Sequence, residues 1–257
     1  MFTSADYEKF RELRVTHLAT RFAELISDDA NDDLTPEQLF LTATDDALEL
    51  RRENRVTALI KKARFPLPHA SVAEIDYREG RGITKVRMRR YAAHDWSSET
   101  LNVLVMSPSG GGKTYLVCAL GIAACQNGHT VIYTRMDDLA RALVIARSDS
   151  IRHQAMLNEY SNTDLLIVDD FLTVGIDPEA AADLFTILAN REHRAATVIA
   201  SQSGPDYWLD VLPDKVAADS IVNRLVNHAK KITLGDIDMR AELAEQLAQV
   251  LRVNRYA

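Results

Sequence analysis

This 257-residue chain has little that is typical of secreted or membrane proteins. It has two cysteines, Cys118 and Cys125, and seven positions on a helix separate them by roughly 10 Å, too far for a disulfide. No apolar run is long enough to cross a bilayer, and residues 1–6 lack the basic and then apolar pattern of a signal peptide. We therefore expect a cytoplasmic protein in which both cysteines are buried as small apolar residues.

The chain also lacks internal repeats, low-complexity segments and an excess of positive charge. Its net charge of −7 argues against a uniformly basic nucleic-acid binder. The charge is unevenly distributed, because residues 1–50 contain 4 basic and 12 acidic side chains, whereas residues 51–90 contain 12 basic and 4 acidic. The basic segment is either a footprint for a phosphate backbone or a solvated helical surface. Its candidate DNA contacts are Arg51, Arg52, Arg55, Lys61, Lys62, Arg64, Arg87, Arg89 and Arg90.

The most informative segment is Ser-Pro-Ser-Gly-Gly-Gly-Lys-Thr at 107–114, between an apolar run at 101–106 and a predicted helix at 115–126. This order is typical of a phosphate-binding P-loop, in which glycines let backbone N–H groups surround phosphate oxygens. Lys113 is expected to reach the β- and γ-phosphates, and the Thr114 hydroxyl to ligate Mg²⁺. Ser107 replaces the usual first glycine, which opens the turn, so we expect nucleotide binding to be retained. The candidate nucleotide contacts are Ser109, Gly110, Gly111, Gly112, Lys113, Thr114 and Tyr115.

A second apolar strand, at 164–168, ends in two carboxylates and is typical of a Walker B motif. Asp169 is the candidate Mg²⁺ ligand, and Asp170 can reach the attacking water. Gln202 follows another predicted strand, at 197–201, and either senses the γ-phosphate or is a turn residue. Arg224 lies on an otherwise apolar helix, where it forms either an intramolecular ion pair or an arginine finger for a neighbouring subunit.

The pattern of elements predicts an α/β fold, with a parallel sheet flanked by helices, behind a small helical domain. Residues 5–27 have apolar positions at helical spacing, and Thr35-Pro36-Glu37-Gln38 opens a second helix with a capping box. Phe65-Pro66 ends that helix, so we divide the chain into a helical domain at 1–66, for DNA or partner binding, and an ATPase domain at 67–257. The predicted strands are 101–106, 130–134, 164–168, 197–201 and 229–234, and the predicted helices between and after them include 137–146, 151–160, 178–193, 215–227 and 238–252.

With these motifs, the chain resembles the IstB-type ATPases that assist insertion-sequence transposition, relatives of DnaC helicase loaders and DnaA initiators within the AAA+ superfamily. In the core the resemblance depends on segments 109–116, 165–171, 177–185, 199–202 and 221–229. In the N-terminal part it depends on 11–15, 51–55 and 61–66.

The resemblance implies a AAA+ P-loop fold, ATP and duplex DNA binding, assembly into rings or filaments, and recruitment of a transposase. It implies that Lys113 and Thr114 bind nucleotide, that Asp169 holds Mg²⁺, and that Asp170 is the catalytic acid. Gln202 falls at sensor 1, although Asn is more usual there, and Arg224 matches the arginine finger. The segment 137–160 corresponds to a helical insertion that faces DNA, which makes Arg147, Arg152 and His153 further DNA candidates, and Arg240 is a candidate nucleotide contact.

Three alternatives to a transposition ATPase stay open at this point. A replicative helicase loader would share the core motifs but prefer single-stranded DNA. A small-molecule kinase would need an acceptor motif, which the sequence lacks, and would leave Arg224 unexplained. A binding-only module, in which nucleotide is structural, is compatible with the departures at Ser107 and Gln202. In each DNA-binding case the absence of a base-reading motif predicts weak sequence preference and strong salt dependence.

Overall fold

The computed structural model describes residues 2–227, 229–242 and 244–245. Contacts divide the chain into two compact units, with the division between Ala58 and Leu59. In the described residues, no helix combines the length and the apolar character that crossing a membrane requires.

The first unit contains helices α1 (Ser4–Glu12) and α2 (Thr16–Ile26) and most of α3 (Pro36–Ala63). The predicted capping box opens α3, since the Thr35 N–H donates to Gln38 Oε1 (2.8 Å) and the Gln38 N–H donates to Thr35 Oγ1 (3.3 Å). The helical spacing over 5–27 proves to be two helices, because Arg14 between them is left-handed, with φ of 57°. A small core of Leu25, Leu39 and Ala43 holds this unit together.

The second unit is built on a five-stranded parallel sheet with the order β2-β3-β4-β1-β5. Every strand lies within two residues of its predicted ends, which confirms the predicted fold class. The central strands β3 and β4 are buried along their whole length, as continuous apolar runs in parallel sheets usually are. The strands are β1 (Val103–Met106), β2 (Val131–Arg135), β3 (Leu165–Asp169), β4 (Ala196–Ser201) and β5 (Lys230–Thr233).

Helices cover both faces of this sheet, and alternate strand residues point to opposite layers. Val103 and Val105 pack with the helix that follows the glycine-rich loop, whereas Leu104 packs with the helices on the other face. The helices are α4 (Lys85–Ala92), α5 (Lys113–Gln126), α6 (Met136–Ala146), α7 (Ser150–Asn162), α8 (Pro178–Arg191), α9 (Pro205–Val211) and α10 (Lys215–Val226).

Two of these helices were not predicted from the sequence. In α4 only Met88 and Tyr91 are buried, so its apolar pattern is weak, and α9 has 7 residues, too few for a periodic signal. Of the helix predicted at 238–252, helical residues begin at Met239, and most of the remainder lies outside the described residues.

The end of α3 is anchored in the core of the second unit. Arg64 is left-handed (φ 60°), so the helix stops, and the Phe65 ring then packs against α5 at Gly121. A Cβ on Gly121 would lie 2.5 Å from Phe65 Cε1 and 2.7 Å from Ile167 Cδ1, so only glycine allows this close approach.

We expect both cysteines to be unreactive in the native protein. Cys118 and Cys125 are buried on α5, and burial raises the pKa of each thiol to about 12, so almost no thiolate is present near pH 8. A chromogenic disulfide reagent should therefore modify neither thiol in buffer and both in guanidinium chloride. Rapid modification of either thiol in buffer would contradict the described packing of α5.

Candidate nucleotide-binding site

The carboxyl ends of β1, β3 and β4 meet at one edge of the sheet, where a cavity of about 1090 Å³ opens. Ligands of open α/β sheets bind at this edge. The sheet order therefore brings together most of the residues that the sequence predicts for the nucleotide site, from segments far apart in the chain. The cavity is lined by Ser109, Gly110, Gly112, Lys113, Thr114, Tyr115, Asp169, Asp170, Gln202 and Arg240, among others.

The loop conformation depends on glycine at three consecutive positions. Gly110 and Gly112 are left-handed, with φ of 82° and 85°. At Gly111 a Cβ would lie 2.2 Å from Ser107 Oγ. Ser107, which replaces the usual first glycine, is thus accommodated because residue 111 has no side chain. The Ser107 hydroxyl donates to the Pro108 carbonyl (3.0 Å).

The Lys113 ammonium lies inside this loop. Its side chain is buried, and Nζ donates to the carbonyl oxygens of Ser107 and Pro108, both at 2.8 Å. Burial lowers the pKa of Lys113, while the negative charges of Asp169 and Asp170 oppose that shift. Because both acceptors are neutral carbonyls, phosphate oxygens can replace them as stronger, charged partners.

Asp169 ends β3 and is the most thoroughly bonded carboxylate at this edge. It is 1% exposed, and its Oδ2 accepts from Thr114 Oγ1 (2.7 Å) and from the Tyr133 hydroxyl (2.8 Å). Its Oδ1 accepts from the Asp170 N–H (2.8 Å). Burial, with the nearby Asp169 charge, raises the pKa of Tyr133, which therefore stays a neutral donor.

The pairing of a hydroxyl and a carboxylate fits Mg²⁺, which binds one or two protein oxygens and takes its other ligands from water and phosphate. The described residues contain no cluster of three or more His, Cys, Asp or Glu side chains that could form an all-protein metal site. Thr114 and Asp169 are therefore the residues that could hold the ion, as the sequence predicts.

Asp170 and Gln202 face the same cavity from neighbouring strands. Asp170 is left-handed (φ 49°), and its carboxylate lies 3.3 Å from Arg135 Nη2. Between the ends of β3 and β4, the buried Ser201 hydroxyl donates to the Phe171 carbonyl (2.9 Å) and accepts from Trp208 Nε1 (3.2 Å). These bonds fix the ends of β3 and β4 relative to each other, and therefore also the relative positions of Asp170 and Gln202.

Sequence reasoning missed three contributors to the site: Tyr133, Arg81 and the Met239 backbone. Arg81 Nη1 donates to the Gly111 carbonyl, and the Met239 N–H donates to the Gly110 carbonyl, both at 3.0 Å. Arg240, beside Met239, also lines the cavity. Its contact with a nucleotide stays a prediction. No sequence motif identifies the missed residues, because Arg81 and Met239 lie before and after the core strands and Tyr133 comes from β2, which carries no nucleotide-binding motif.

Arg224 lies elsewhere. Its Nε is 3.0 Å from Glu192 Oε2, its guanidinium stacks 5.0 Å from the centre of the Phe185 ring, and it also bonds Ser220. Its carbonyl accepts from Asn102 Nδ2 (2.9 Å), just before β1 begins. Arg224 is therefore at the amino edge of the sheet, opposite the phosphate loop of its own chain. Of the two sequence alternatives, the intramolecular ion pair is present, and the finger stays a prediction.

The predicted DNA contacts differ in their exposure and in whether their side chains already bond other residues of the chain. In the first unit Arg51, Arg52 and Arg55 are exposed on α3, and Arg51 donates to the Arg14 carbonyl. In the second unit Lys62 is 3.8 Å from Glu159, and Arg87 donates to the Lys231 carbonyl. Of the predicted contacts in that unit's part of the basic segment, the exposed ones are Lys61, Lys62, Arg64, Arg89 and Arg90.

Two of the three candidates in 137–160 are bound to one buried carboxylate. Asp183 on α8 is 4% exposed and lies 2.6 Å from Arg147 Nη2 and 2.8 Å from His153 Nε2. Both side chains thus join the α6–α7 pair to α8. Arg152 is exposed, and it is the candidate of the three that is best placed to meet a ligand.

The strand order, the glycine-rich loop after β1 and the paired carboxylates at the end of β3 define a AAA+ P-loop ATPase. Comparison with known families supports this class. A family model described as IstB-like ATP binding protein matches residues 8–246, and the chain belongs to that family.

Its relatives are proteins of bacterial insertion sequences. The chain is 30% identical to one from Sinorhizobium fredii, named insertion sequence ATP-binding protein y4pL, over 93% of this chain and 97% of the relative. It is 26% identical to the insertion sequence IS21 ATP-binding protein of Pseudomonas aeruginosa, over 86% of this chain and 83% of that protein.

Among solved structures, similarity extends to replication proteins and shows the shared fold. AMPPCP-bound DnaA from Aquifex aeolicus matches with a TM-score of 0.57 and 21% identity over 73% of this chain, which spans 56% of the DnaA chain. The DnaC helicase loader matches with a TM-score of 0.54 and 14% identity, over 64% of this chain and 96% of that one.

The Tyr133 hydroxyl should be important for ATP hydrolysis. Tyr133→Phe removes one of the donors that orient Asp169, and loss of such a partner typically lowers activity by about 10-fold or more. We expect a lower kcat and a higher Mg²⁺ requirement in a phosphate-release assay, together with some loss of Tm, because the buried carboxylate loses one of its donors. Tyr77→Phe is the matched control, because the Tyr77 hydroxyl donates to the Val72 carbonyl (2.6 Å) and not to the Asp169 carboxylate. Equal kinetics for the two variants would contradict a role for Tyr133.

Proposed function

We propose that this protein is an ATP-dependent, DNA-binding AAA+ ATPase that assembles on duplex DNA and assists a transposase in selecting and capturing target DNA. The observation that carries the proposal is the position of the phosphate loop and Arg224 at opposite edges of one sheet. Such a subunit can complete its site with a neighbour's arginine, and so couple ATP hydrolysis to assembly. The transposition role rests on the relatives' names as insertion sequence proteins, and a cytoplasmic location follows from the DNA substrate.

The proposed hydrolysis mechanism depends on positioning and charge. Lys113 and the backbone N–H groups of 109–114 hold the phosphates, with Tyr115 and Arg240 as further nucleotide contacts. Thr114 and Asp169 would hold Mg²⁺, which would neutralise phosphate charge. Asp170 orients the attacking water, and Gln202 reports the presence of the γ-phosphate.

Arg224 is proposed to act on the site of the next subunit in a ring or filament. In the single chain it is held by Glu192, at the edge of a small cavity. Because this ion pair is partly exposed, exchanging Glu192 for a triphosphate costs little and gains a stronger electrostatic partner. ATP between two subunits would then stabilise their interface, and hydrolysis would weaken it.

DNA binding is assigned to the exposed cations of the basic segment and to Arg152. Arginine and lysine side chains on helical surfaces suit phosphate contacts, which fix position without reading sequence. Arg147 and His153 are less suited, since Asp183 already binds both.

Helicase loading is the second candidate, because the DnaC helicase loader and DnaI share the fold with TM-scores of 0.54 and 0.56. The two candidates differ in the DNA that they need. A transposition ATPase should assemble on long duplex DNA, whereas preference for single strands and co-purification with a helicase would favour the loader.

Lys113→Ala should abolish ATP-dependent assembly on duplex DNA, because the loop loses the cation that reaches the phosphates. Particle size on long DNA of arbitrary sequence, by light scattering or electron microscopy, should increase for the wild type with ATP but not with ADP. Lys215→Ala, at an exposed lysine that opens α10, is the control and should assemble normally. Assembly of Lys113→Ala that equals the wild type would refute the nucleotide switch.

Arg224→Ala should keep ATP affinity and lose turnover by roughly 10³-fold, as arginine fingers do when removed. Arg194→Ala, at an exposed arginine just beyond α8, is the matched control. The ATPase activity of mixed variant subunits is the sharper measurement. Asp170→Asn retains Arg224 but lacks the acid, so subunits of Asp170→Asn and Arg224→Ala should recover activity together. If the mixture is as inactive as its components, Arg224 does not act in trans.

A further inference from the structure

We propose that Arg81 is a positioning residue of the nucleotide site, which orients the phosphate loop and supplies positive charge to the bound phosphates. This inference rests on the nucleotide site of the proposed function and not on its DNA or transposase parts. No motif points to Arg81, which precedes the first strand by more than twenty residues.

The backbone around Arg81 is clamped in place. Gly80 and Gly82 are left-handed (φ 85° and 71°), and the Arg81 carbonyl accepts from the Gly235 N–H (3.1 Å) just beyond β5. A Cβ on Gly82 would lie 2.2 Å from the Thr233 carbonyl oxygen, and one on Gly235 would lie 1.6 Å from that of Gly80. Glycine is thus required on both sides, and the clamp fixes where the Arg81 side chain begins.

From this position the guanidinium reaches the phosphate loop. Arg81 is 3% exposed, and its Nη1 donates to the Gly111 carbonyl at 3.0 Å. The Gly111 carbonyl and the Gly112 N–H belong to one trans peptide and therefore point in opposite directions. Holding the carbonyl toward Arg81 consequently directs the Gly112 N–H to the other side. A Cβ on Gly112 would approach Arg81 Nη2 to 3.1 Å, so the glycine also makes room for the guanidinium.

The charge of Arg81 is incompletely compensated. Its Nε is buried without a hydrogen-bond partner in the described part of the chain. The carboxylates whose charges act on it, Asp76 and Glu242, are both bound to Arg78 instead. Burial accordingly lowers the pKa of Arg81.

A buried cation in this condition is costly unless an anion joins it. The phosphates of a nucleotide supply such an anion in the adjoining cavity, which Arg81 lines. Because the compensation exists only in the bound state, it adds to nucleotide affinity, and more so for ATP than for ADP since ATP carries the greater charge.

Arg191 provides a matched buried arginine with a structural role. It is 2% exposed, and its Nη1 donates to the carbonyls of Tyr160 and Thr163, both at 2.8 Å. Its Nε donates to Thr197 Oγ1 (3.1 Å) at the start of β4, at the sheet edge away from the nucleotide cavity.

The test compares Arg81→Met with Arg191→Met in the full chain, by titration with ATP and ADP in a calorimeter. Methionine keeps the buried volume in both cases. Arg81→Met should raise the Kd for ATP about 10-fold or more, and the Kd for ADP by a smaller factor, with little loss of Tm. Arg191→Met should lower Tm and leave both Kd values unchanged.

Two further variants keep the inference testable if Arg81→Met does not fold. Arg81→Lys retains the charge but not the planar fork, so its ATP affinity should be intermediate. Arg81→Ala should regain affinity when guanidinium ion is added at millimolar, non-denaturing concentration. ATP affinity equal to the wild type in the Arg81 variants would overturn the inference. Failure of the wild type to bind ATP would instead overturn the proposed function.

Discussion

The buried carboxylate of Asp169 is the constraint on which the site depends. A carboxylate that is 1% exposed must be bonded on all sides, and leaving it unpaired would cost about 3–5 kcal/mol. Its partners come from three elements: Thr114 from α5, Tyr133 from β2 and the Asp170 backbone beyond β3. Satisfying one group therefore joins the phosphate loop to the strand that carries the acids, and it also defines the oxygen pair suited to Mg²⁺.

Other buried ions are compensated differently, which helps to separate structure from function. Arg191 is satisfied by carbonyls and a hydroxyl, and burial lowers its pKa to about 9. Asp183 is paired with both Arg147 and His153. Lys113 and Arg81 also bond neutral carbonyls, but these carbonyls belong to the phosphate loop, and Arg81 Nε has no hydrogen-bond partner among the described residues. Both of these cations lie beside the cavity where a polyanion is expected.

Much of the fold followed from local patterns. The five parallel strands are confirmed because continuous apolar runs of that length are typical of buried strands. The capping box is confirmed because Thr35 and Gln38 are only three positions apart, so the contact is local. The break at Arg14 was missed, since apolar spacing continues across it. The helix α4 was missed because its positions are mainly charged, and only tertiary packing explains its buried Met88 and Tyr91.

The sequence by itself determined the class of the protein. Binding of phosphate and metal requires glycine, lysine and threonine in one short loop and two aspartates at one strand end, and each of these requirements is met within a few consecutive residues. Only the tertiary structure decided which residues from distant parts of the sequence contact these motifs. Tyr133 reaches Asp169 because β2 pairs with β3, and Arg81 reaches Gly111 because the end of β5 holds its backbone. The tertiary structure also placed Arg224, with Glu192, at the edge of the sheet opposite the phosphate loop. Strand order and close backbone approach are long-range properties, and no spacing in the sequence encodes them directly.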